Sequence, residues 1–286
     1  MDTASPLFSK KPGETIEVEV QKVFEPVTMS PVMVVRLNGE RKNFVLKLYD
    51  RRFAPRLRKA GHIDVWNEQR EKEYTNFVLS GAAPKFVKYM NDESNMFDSM
   101  TDAEGETYLY DQCNDLYKAE TLAYRVLNRL QGQSIPILFA TVSLQIRSTT
   151  NPEYQKFFNI SGILLEHIDG FRLTHLASKV PKHYWQSICD DAVSVVNAAS
   201  DCGILNMDIR PDNFVVRKIP GRTGTVYKAI LLDFALSRTQ GAEESNADWN
   251  VERRTEDEEG AIGSVMQREL DKNGGGYVYR CSYRYS

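Results

Sequence analysis

A few residues, spread along the chain in a fixed order, have the types that phosphoryl transfer needs. Asp208 and Asn213 stand five positions apart in "NMDIRPDNFVV" (206 to 216), with Arg210 between them. Asp233 follows a four-residue apolar run in "AILLDFALSR", Lys47 sits among apolar neighbours in "FVLKLYD", and Glu120 lies in "KAETLAYRVL". The chemistry asks for a cation on the phosphates, an acid that anchors it, metal ligands, and an acceptor for the nucleophile's proton. In that scheme Lys47 is the cation, Glu120 its partner, Asp208 the proton acceptor, and Asn213 and Asp233 the ligands of Mg²⁺. Each residue taken singly has a plainer reading: a lysine snorkelling at a strand edge, a solvent-facing glutamate, an aspartate capping a strand. The conjunction, in this order, rarely arises by chance.

Several elements must position these residues. "TIEVEVQKVF" alternates apolar and polar residues and predicts a strand. "SPVMVVRL" and "NFVLKLYD" predict two more, joined at Asn38-Gly39, a strong hairpin signal. Residues 66 to 79 read as a helix, and the polar, acidic stretch 89 to 106 as a long loop or insertion. "YDQCNDLYKAETLAYRVLNRLQG" (110 to 132) places Leu116, Leu122, Ala123, Val126, Leu127 and Leu130 on one helical face and stops at Gly132. Strands follow in "PILFATVSLQI" and "NISGILLEHI", then a helix in "HYWQSICDDAVSVVNAASDCG". "FVVRKI" and "YKAILLDF" form a hairpin around Pro220-Gly221. An acidic run, 241 to 260, leads into a last helix near "AIGSVMQREL", and a glycine hinge precedes an aromatic tail. The order predicts an α+β fold, a strand-rich half followed by a mainly helical one.

The chain has 286 residues, 42% hydrophobic and 26% charged, with net charge −3 and a pI of about 5.9. That balance argues against a globally basic, nucleic-acid-coating surface. No segment approaches the 18 apolar residues of a spanning helix, so no membrane partner is expected. The first residues lack an apolar signal-peptide core. The four cysteines are scattered without a CxxC pair and read as reduced thiols of a cytoplasmic protein. The dispersed cysteines and histidines give no reason to expect a zinc site.

"FVLKLYDRRF", "AETLAYRVLNRLQGQSIP", "GILLEHIDG", "NMDIRPDNFVV", "LLDFALSR" and "DEEGAIGSVM" together resemble the protein-kinase-like superfamily. The resemblance is to compact protein-kinase or aminoglycoside-phosphotransferase-like proteins of filamentous fungi, and it spans most of residues 40 to 270. It implies a two-lobed fold: a flexible arm (1–15), a small β-rich N-lobe (16–168) with an insertion around 89–106, and a shortened helical C-lobe (169–286). It further implies ATP and Mg²⁺ as cofactors in a cleft between lobes, with Glu166, His167 and Ile168 in the linker that meets the adenine. Arg210 would supply part of the cationic charge near the γ-phosphate.

The departures from the pattern are as specific. Residues 16 to 38 contain no glycine, and the turn that should cradle phosphate reads "EPVTMSP". The H-R-D-x-x-x-x-N loop has Asn206 and Met207 in place of His and Arg, so it is expected to lack its usual internal support. D-F-G has become Asp233-Phe234-Ala235. No A-P-E follows, and the helical platform for protein substrates is short, which favours a small-molecule acceptor.

Eight of the nineteen residues from 41 to 59 are Lys or Arg. They read either as a solvated face offsetting the acidic 243 to 259 segment, or as a site for phosphate-rich ligands including RNA, with Arg52, Arg56 and Arg58 as contacts and Tyr49 and Phe53 as stacking rings. Three functions follow: an ATP- and Mg²⁺-dependent phosphotransferase; a pseudokinase-type module that holds nucleotide or a partner without turnover; or a kinase-like fold repurposed for a non-phosphoryl transfer from an RNA-linked substrate such as aminoacyl-tRNA.

Overall fold

The computed structural model describes residues 13–92, 99–221 and 224–282. The chain divides into two compact units, 1–117 with 138–167, and 118–137 with 168–286.

The first unit is built on an antiparallel sheet. Its strands are β1 (Val18–Val23), β2 (Val32–Leu37), β3 (Asn43–Leu48), β4 (Leu138–Gln145) and β5 (Asn159–Glu166), in the order β1-β2-β3-β5-β4. The β2–β3 hairpin turns where Asn38-Gly39 predicts, with Gly39 at φ +83°, the region glycine enters without steric cost. Val34 then faces Val45 and Lys47 faces Val32. One face buries Val35, Phe44, Leu46 and Leu164, and Phe139 packs edge-on against Phe44 at 5.3 Å. Gly162 of β5 is a glycine for a local reason: a Cβ there would meet the Lys47 carbonyl at 2.8 Å and the Leu48 side chain at 2.7 Å.

Helices α1 (Pro55–Ala60), α2 (Glu68–Leu79), α3 (Ala82–Met90) and α4 (Asp102–Val126) follow β3, and α5 (Pro152–Gln155) precedes β5. The reading of 89–106 as one loop is corrected at both ends: α3 runs to Met90 and α4 begins at Asp102, while residues 93–98 lie outside the described ones. The cause is a capping box in "TDAE". Thr101 Oγ1 accepts from the Glu104 amide at 3.3 Å, and the Glu104 carboxylate accepts from the Thr101 amide at 2.9 Å.

The second unit holds α6 (Leu176–Lys179), α7 (Trp185–Asp201), α8 (Asn246–Glu256) and α9 (Glu258–Asp271) with short strands β6 (Phe171–Arg172), β7 (Ile204–Asn206), β8 (Phe214–Gly221), β9 (Gly224–Leu231) and β10 (Ser237–Thr239). α7 buries Ile188, Cys189, Ala192, Val195, Val196 and Ala199, a helical stripe. It ends at Asp201, and Gly203, at φ +80°, turns the chain just beyond it. β8 and β9 form the expected hairpin, with Val216 opposite Ala229; residues 222–223 of its turn lie outside the described ones, as do the arm residues 1–12. β10 pairs with β7 so that Ser237 faces Asn206. The acidic run is helical through α8. Its Glu244 and Glu252 are bound by Arg238, at 2.8 Å and 2.7 Å, under the Trp249 ring. No helix among the described residues is long and apolar enough to cross a membrane.

Candidate active site

The candidate centre of the second unit is a pair of loops sewn together by hydrogen bonds. The first runs from the end of β7 through a 3₁₀ turn, Pro211–Asn213, into β8; the second leaves β9 at Leu231 and carries Asp233. The Leu232 amide donates to the Asn213 carbonyl at 2.7 Å, and the Met207 amide to the Leu236 carbonyl at 3.3 Å. Within the first loop, Asn213 Nδ2 donates to the Asp208 carbonyl at 2.8 Å and to its carboxylate at 3.2 Å. The five-residue spacing of Asp208 and Asn213 thus becomes a closed ring. The Asn213 amide nitrogen is committed to it, so the oxygen is the end of that side chain suited to a cation. Arg210 Nη2 lies 3.2 Å from Asp208 Oδ2, so its charge sits on the candidate proton acceptor itself.

Asp233 has φ +59°, an unfavourable region for a non-glycine residue. Asn206 Nδ2 donates to the Asp233 carbonyl at 3.0 Å, and the Ala235 amide donates to Asp233 Oδ1 at 3.2 Å. The following Phe234 is fully buried and edge-on to Tyr124 at 5.5 Å. Its amide donates to Glu120 Oε1 at 3.3 Å, so buried Glu120 of α4 serves this loop within the second unit.

Asn206 corrects the expectation that the loop lacks internal support. Its Oδ1 accepts from the Asp208 amide at 3.1 Å while its Nδ2 holds the Asp233 carbonyl. One buried amide side chain therefore joins both loops. Its own backbone amide donates to Glu258 Oε1 at 2.6 Å, at the first turn of α9. Sequence reading passed over Glu258, although it lies in the quoted "DEEGAIGSVM". Its only signal is an acidic residue directly before an apolar helical stripe, where a helix N-terminus favours negative charge.

Burial pushes the Glu258 carboxyl up to about 8, against the Asn206 N–H and Arg253, which pull it down, and with Glu256 adding to the rise. The folded chain therefore binds a proton that the unfolded chain releases near 4.5. The associated stability is complete below that lower value. It is lost as pH rises, at about 1.4 kcal/mol per pH unit, until about pH 8. Glu258→Gln keeps the acceptor oxygen and does not titrate. Its denaturation midpoint is expected to gain on wild type from pH 5 to pH 8 and to run parallel above that. A gap that stays constant with pH would place the carboxyl in the ordinary range.

In the first unit, Lys47 on β3 is buried at 5% exposure, with Nζ 5.6 Å from the Tyr49 ring centroid, so it does not snorkel to solvent. Glu166, at the end of β5, faces Phe44 in register, and the unit ends at His167, with Ile168 beginning the next stretch of the second. The β1–β2 turn "EPVTMSP" is packed down: Met29 and Ser30 are buried, and the Thr28 carbonyl accepts from the Arg56 amide at 2.9 Å.

The basic run is the clearest correction. Arg58 is buried, not outward: its Nη1 and Nη2 lie 2.7 Å and 2.9 Å from the two oxygens of fully buried Glu106. Arg51 is bound to the same carboxylate and to Glu71 at 2.6 Å. Arg52 is folded back on Asp50 at 2.7 Å. Tyr49 is buried edge-on to Tyr117 and is no stacking platform. Of the proposed contacts only Arg56 and Phe53 face solvent. Arg51, Arg52 and Arg58 are thus neutralised by acids of their own unit, and Glu244 and Glu252 by Arg238.

As for a metal, no group of three or more His, Cys, Asp or Glu side chains among the described residues could hold an ion unaided. The oxygens of Asn213 and Asp233 are nonetheless hard donors of the kind that bind Mg²⁺ through one or two protein ligands, with phosphate and water completing the shell.

No protein-family model and no curated protein matches this chain. Solved structures do. The chain is similar to the Rio2 kinase of Chaetomium thermophilum, solved as an ADP/Mg²⁺-phosphoaspartate complex, at 12% identity and a TM-score of 0.52 over 93% of this chain and 60% of that one. It is also similar to WaaP, solved in complex with acyl carrier protein, at 12% identity and a TM-score of 0.42 over 81% of this chain and 67% of that one. The chain thus spans about 60% of the length of the Rio2 structure.

Proposed function

We propose that this chain, which has a protein-kinase-like fold of the α+β class, is a Mg²⁺-dependent phosphotransferase that moves the terminal phosphoryl group of ATP to a small-molecule hydroxyl. One observation carries the reading: the Asp208–Asn213 ring is hydrogen-bonded to the loop of Asp233, so a proton acceptor and two oxygen donors are held on a single scaffold. Asp208 takes the proton of the attacking hydroxyl, and Arg210 holds its carboxylate in place. The Asn213 amide oxygen and the Asp233 carboxylate hold the metal. When bound, Mg²⁺ neutralises charge on the phosphates and orients them. Lys47 and Glu120 keep the roles implied by the family resemblance, phosphate cation and its carboxylate partner, and Glu166, His167 and Ile168 that of the adenine-side linker.

The packed β1–β2 turn favours a second reading, a nucleotide-binding module without turnover. An amide-rich glycine turn makes charge-assisted bonds to phosphate worth about 1.5–3 kcal/mol each. Here Pro26 and Pro31 lack N–H groups, and Met29 and Ser30 point into the unit. Losing two such bonds costs about a hundredfold or more in affinity. A transfer from an RNA-linked substrate loses its footing with Arg58 and Tyr49 buried.

Calorimetry with Mg-ATP, paired with a hydrolysis assay, tests the proposal. The expected result is binding weaker than about 10 μM, abolished by EDTA and accompanied by slow turnover. Binding without hydrolysis in the presence of any acceptor hydroxyl would favour the second reading. No binding at millimolar nucleotide would overturn both.

A further inference from the structure

The first turn of α9 carries three consecutive acids that do three different things. Asp257 caps the helix, accepting from the Gly260 amide at 3.1 Å. Glu258 turns inward to the Asn206 amide. Glu259 turns outward and is gripped by residues 277–282, which lie as an extended strap along α7 and α9. Its Oε1 accepts from the Ser282 amide at 2.9 Å and from Tyr279 Oη at 3.3 Å, its Oε2 bonds the Ser282 hydroxyl, and Asn197 Nδ2 of α7 reaches Oε2 at 3.2 Å.

The strap is held by side chains that mimic a strand partner. Gln186 of α7 both donates to the Val278 carbonyl at 3.1 Å and accepts from the Val278 amide at 3.0 Å. Gln267 of α9 accepts from the Tyr279 amide at 2.7 Å. Tyr277 is buried, and the Tyr279 ring lies against Gly263, where a Cβ would overlap it. Before the strap, Gly274, Gly275 and Gly276 all have positive φ, and Lys182 Nζ holds the Gly274 carbonyl at 2.7 Å. The strap thus stitches α7 to α9 at the turn from which Glu258 reaches the candidate catalytic loop.

We propose that the strap of residues 277–282 is a positioning element for that loop. Docked, it fixes the first turn of α9 through Glu259. Glu258 then fixes the Asn206 backbone, and Asn206 aligns Asp208 with Asp233. Lifted off, it leaves the loop folded but no longer held in register. The inference uses the loop identified above, and its test reads the loop's hydrogen bonds rather than activity. A chain with no phosphotransfer would sink the functional reading and leave this one standing or falling on its own result.

Gly263→Ala is the probe. Alanine favours the helix more than glycine does, so α9 is not weakened, while the new methyl displaces the Tyr279 ring. Hydrogen exchange is followed amide by amide in the full chain. The Tyr279 and Ser282 amides are expected to exchange on the order of tenfold faster or more. The Asn206 and Asp208 amides, which report the Glu258 bond and the Asn206 side-chain bond, should follow them, while amides of central α7 hold their wild-type rates. Glu259→Gln, which exchanges an acceptor oxygen for a donor group without adding bulk, should show the same pattern more weakly. Tyr279→Phe, which keeps the ring on Gly263 and the backbone bonds of the strap while losing only the hydroxyl bond to Glu259, should retain near-wild-type protection. If the strap amides open in either of the first two variants while Asn206 and Asp208 stay protected, the strap does not position the loop. Wild-type protection throughout both would equally overturn the proposal.

Discussion

Replacing Asp208 by Asn is expected to cut turnover by about 10²–10⁴-fold, the usual worth of a general base, while leaving Mg-nucleotide affinity close to that of wild type. The substitution preserves size, and its amide oxygen can still accept the hydrogen bond from Asn213 Nδ2, which spans 3.2 Å to the native carboxylate. The backbone carbonyl that anchors Asn213 at 2.8 Å is untouched. What disappears is the capacity to take a proton, and with it the charge opposite Arg210. Asp233→Asn should divide the effects the other way. It removes charge from a proposed metal ligand, so Mg²⁺-dependent nucleotide binding weakens first, and turnover falls because less complex forms. Calorimetry and single-turnover rates on the two variants separate the roles. Wild-type turnover in Asp208→Asn would remove that residue from the chemistry.

Local signals were the legible ones. Asn38-Gly39 predicts its hairpin because the turn demands a positive φ that few residues accept. α7 shows its stripe because one face is buried along its whole length. The D-x-x-x-x-N ring is legible because the bond from Asn213 to Asp208 spans only five residues. Interactions between residues far apart in the chain were not. Asn206 looked like a lost histidine, since its three partners, Asp208, Asp233 and Glu258, become visible only after folding. One short-range feature escaped as well: the capping box at Thr101 was hidden because the acidic residues around it read as a loop. Arginines read as surface charges by default, and nothing near Arg58 in sequence announces a glutamate 48 positions onward that takes it inside. Charge patterning registers how many ions a segment carries and is blind to which of them find partners.

That hidden cluster should make Glu106→Ala one of the most destabilising single changes in the first unit, by about 3–5 kcal/mol, the usual cost of orphaning a buried charge. Glu106, on α4, is fully buried and binds two guanidinium groups: Arg58 through both of its oxygens and Arg51 through one. Of the two arginines, Arg51 cannot escape by losing its proton. Burial works against the Arg51 charge, but Tyr74, Glu71 and Glu106 outweigh it and hold its pKa above the usual arginine value. Nor can either arginine swing out to water. The Arg58 donors also serve the Asp64 carbonyl at 2.8 Å and the Arg51 carbonyl at 3.1 Å. The Arg51 guanidinium lies 3.7 Å from the Tyr74 ring centroid and is held by Glu71, itself bonded by Trp66 Nε1 at 2.9 Å. Without Glu106, two positive charges lose the carboxylate they share, and Glu71 reaches only Arg51. Glu106→Gln should cost less, since one acceptor oxygen survives, yet its amide would present donors to donors. With a urea m-value of about 1–3 kcal/mol/M, the alanine variant should lower the midpoint by about 1 M or more. Because the cluster is shielded from solvent, raising salt to about 1 M should leave that difference largely intact, whereas an exposed ion pair would be screened away. A midpoint shift of only a few tenths of a molar, erased by salt, would mean that the arginines reach solvent after all and that residues 41–59 present the cationic face the sequence alone suggests.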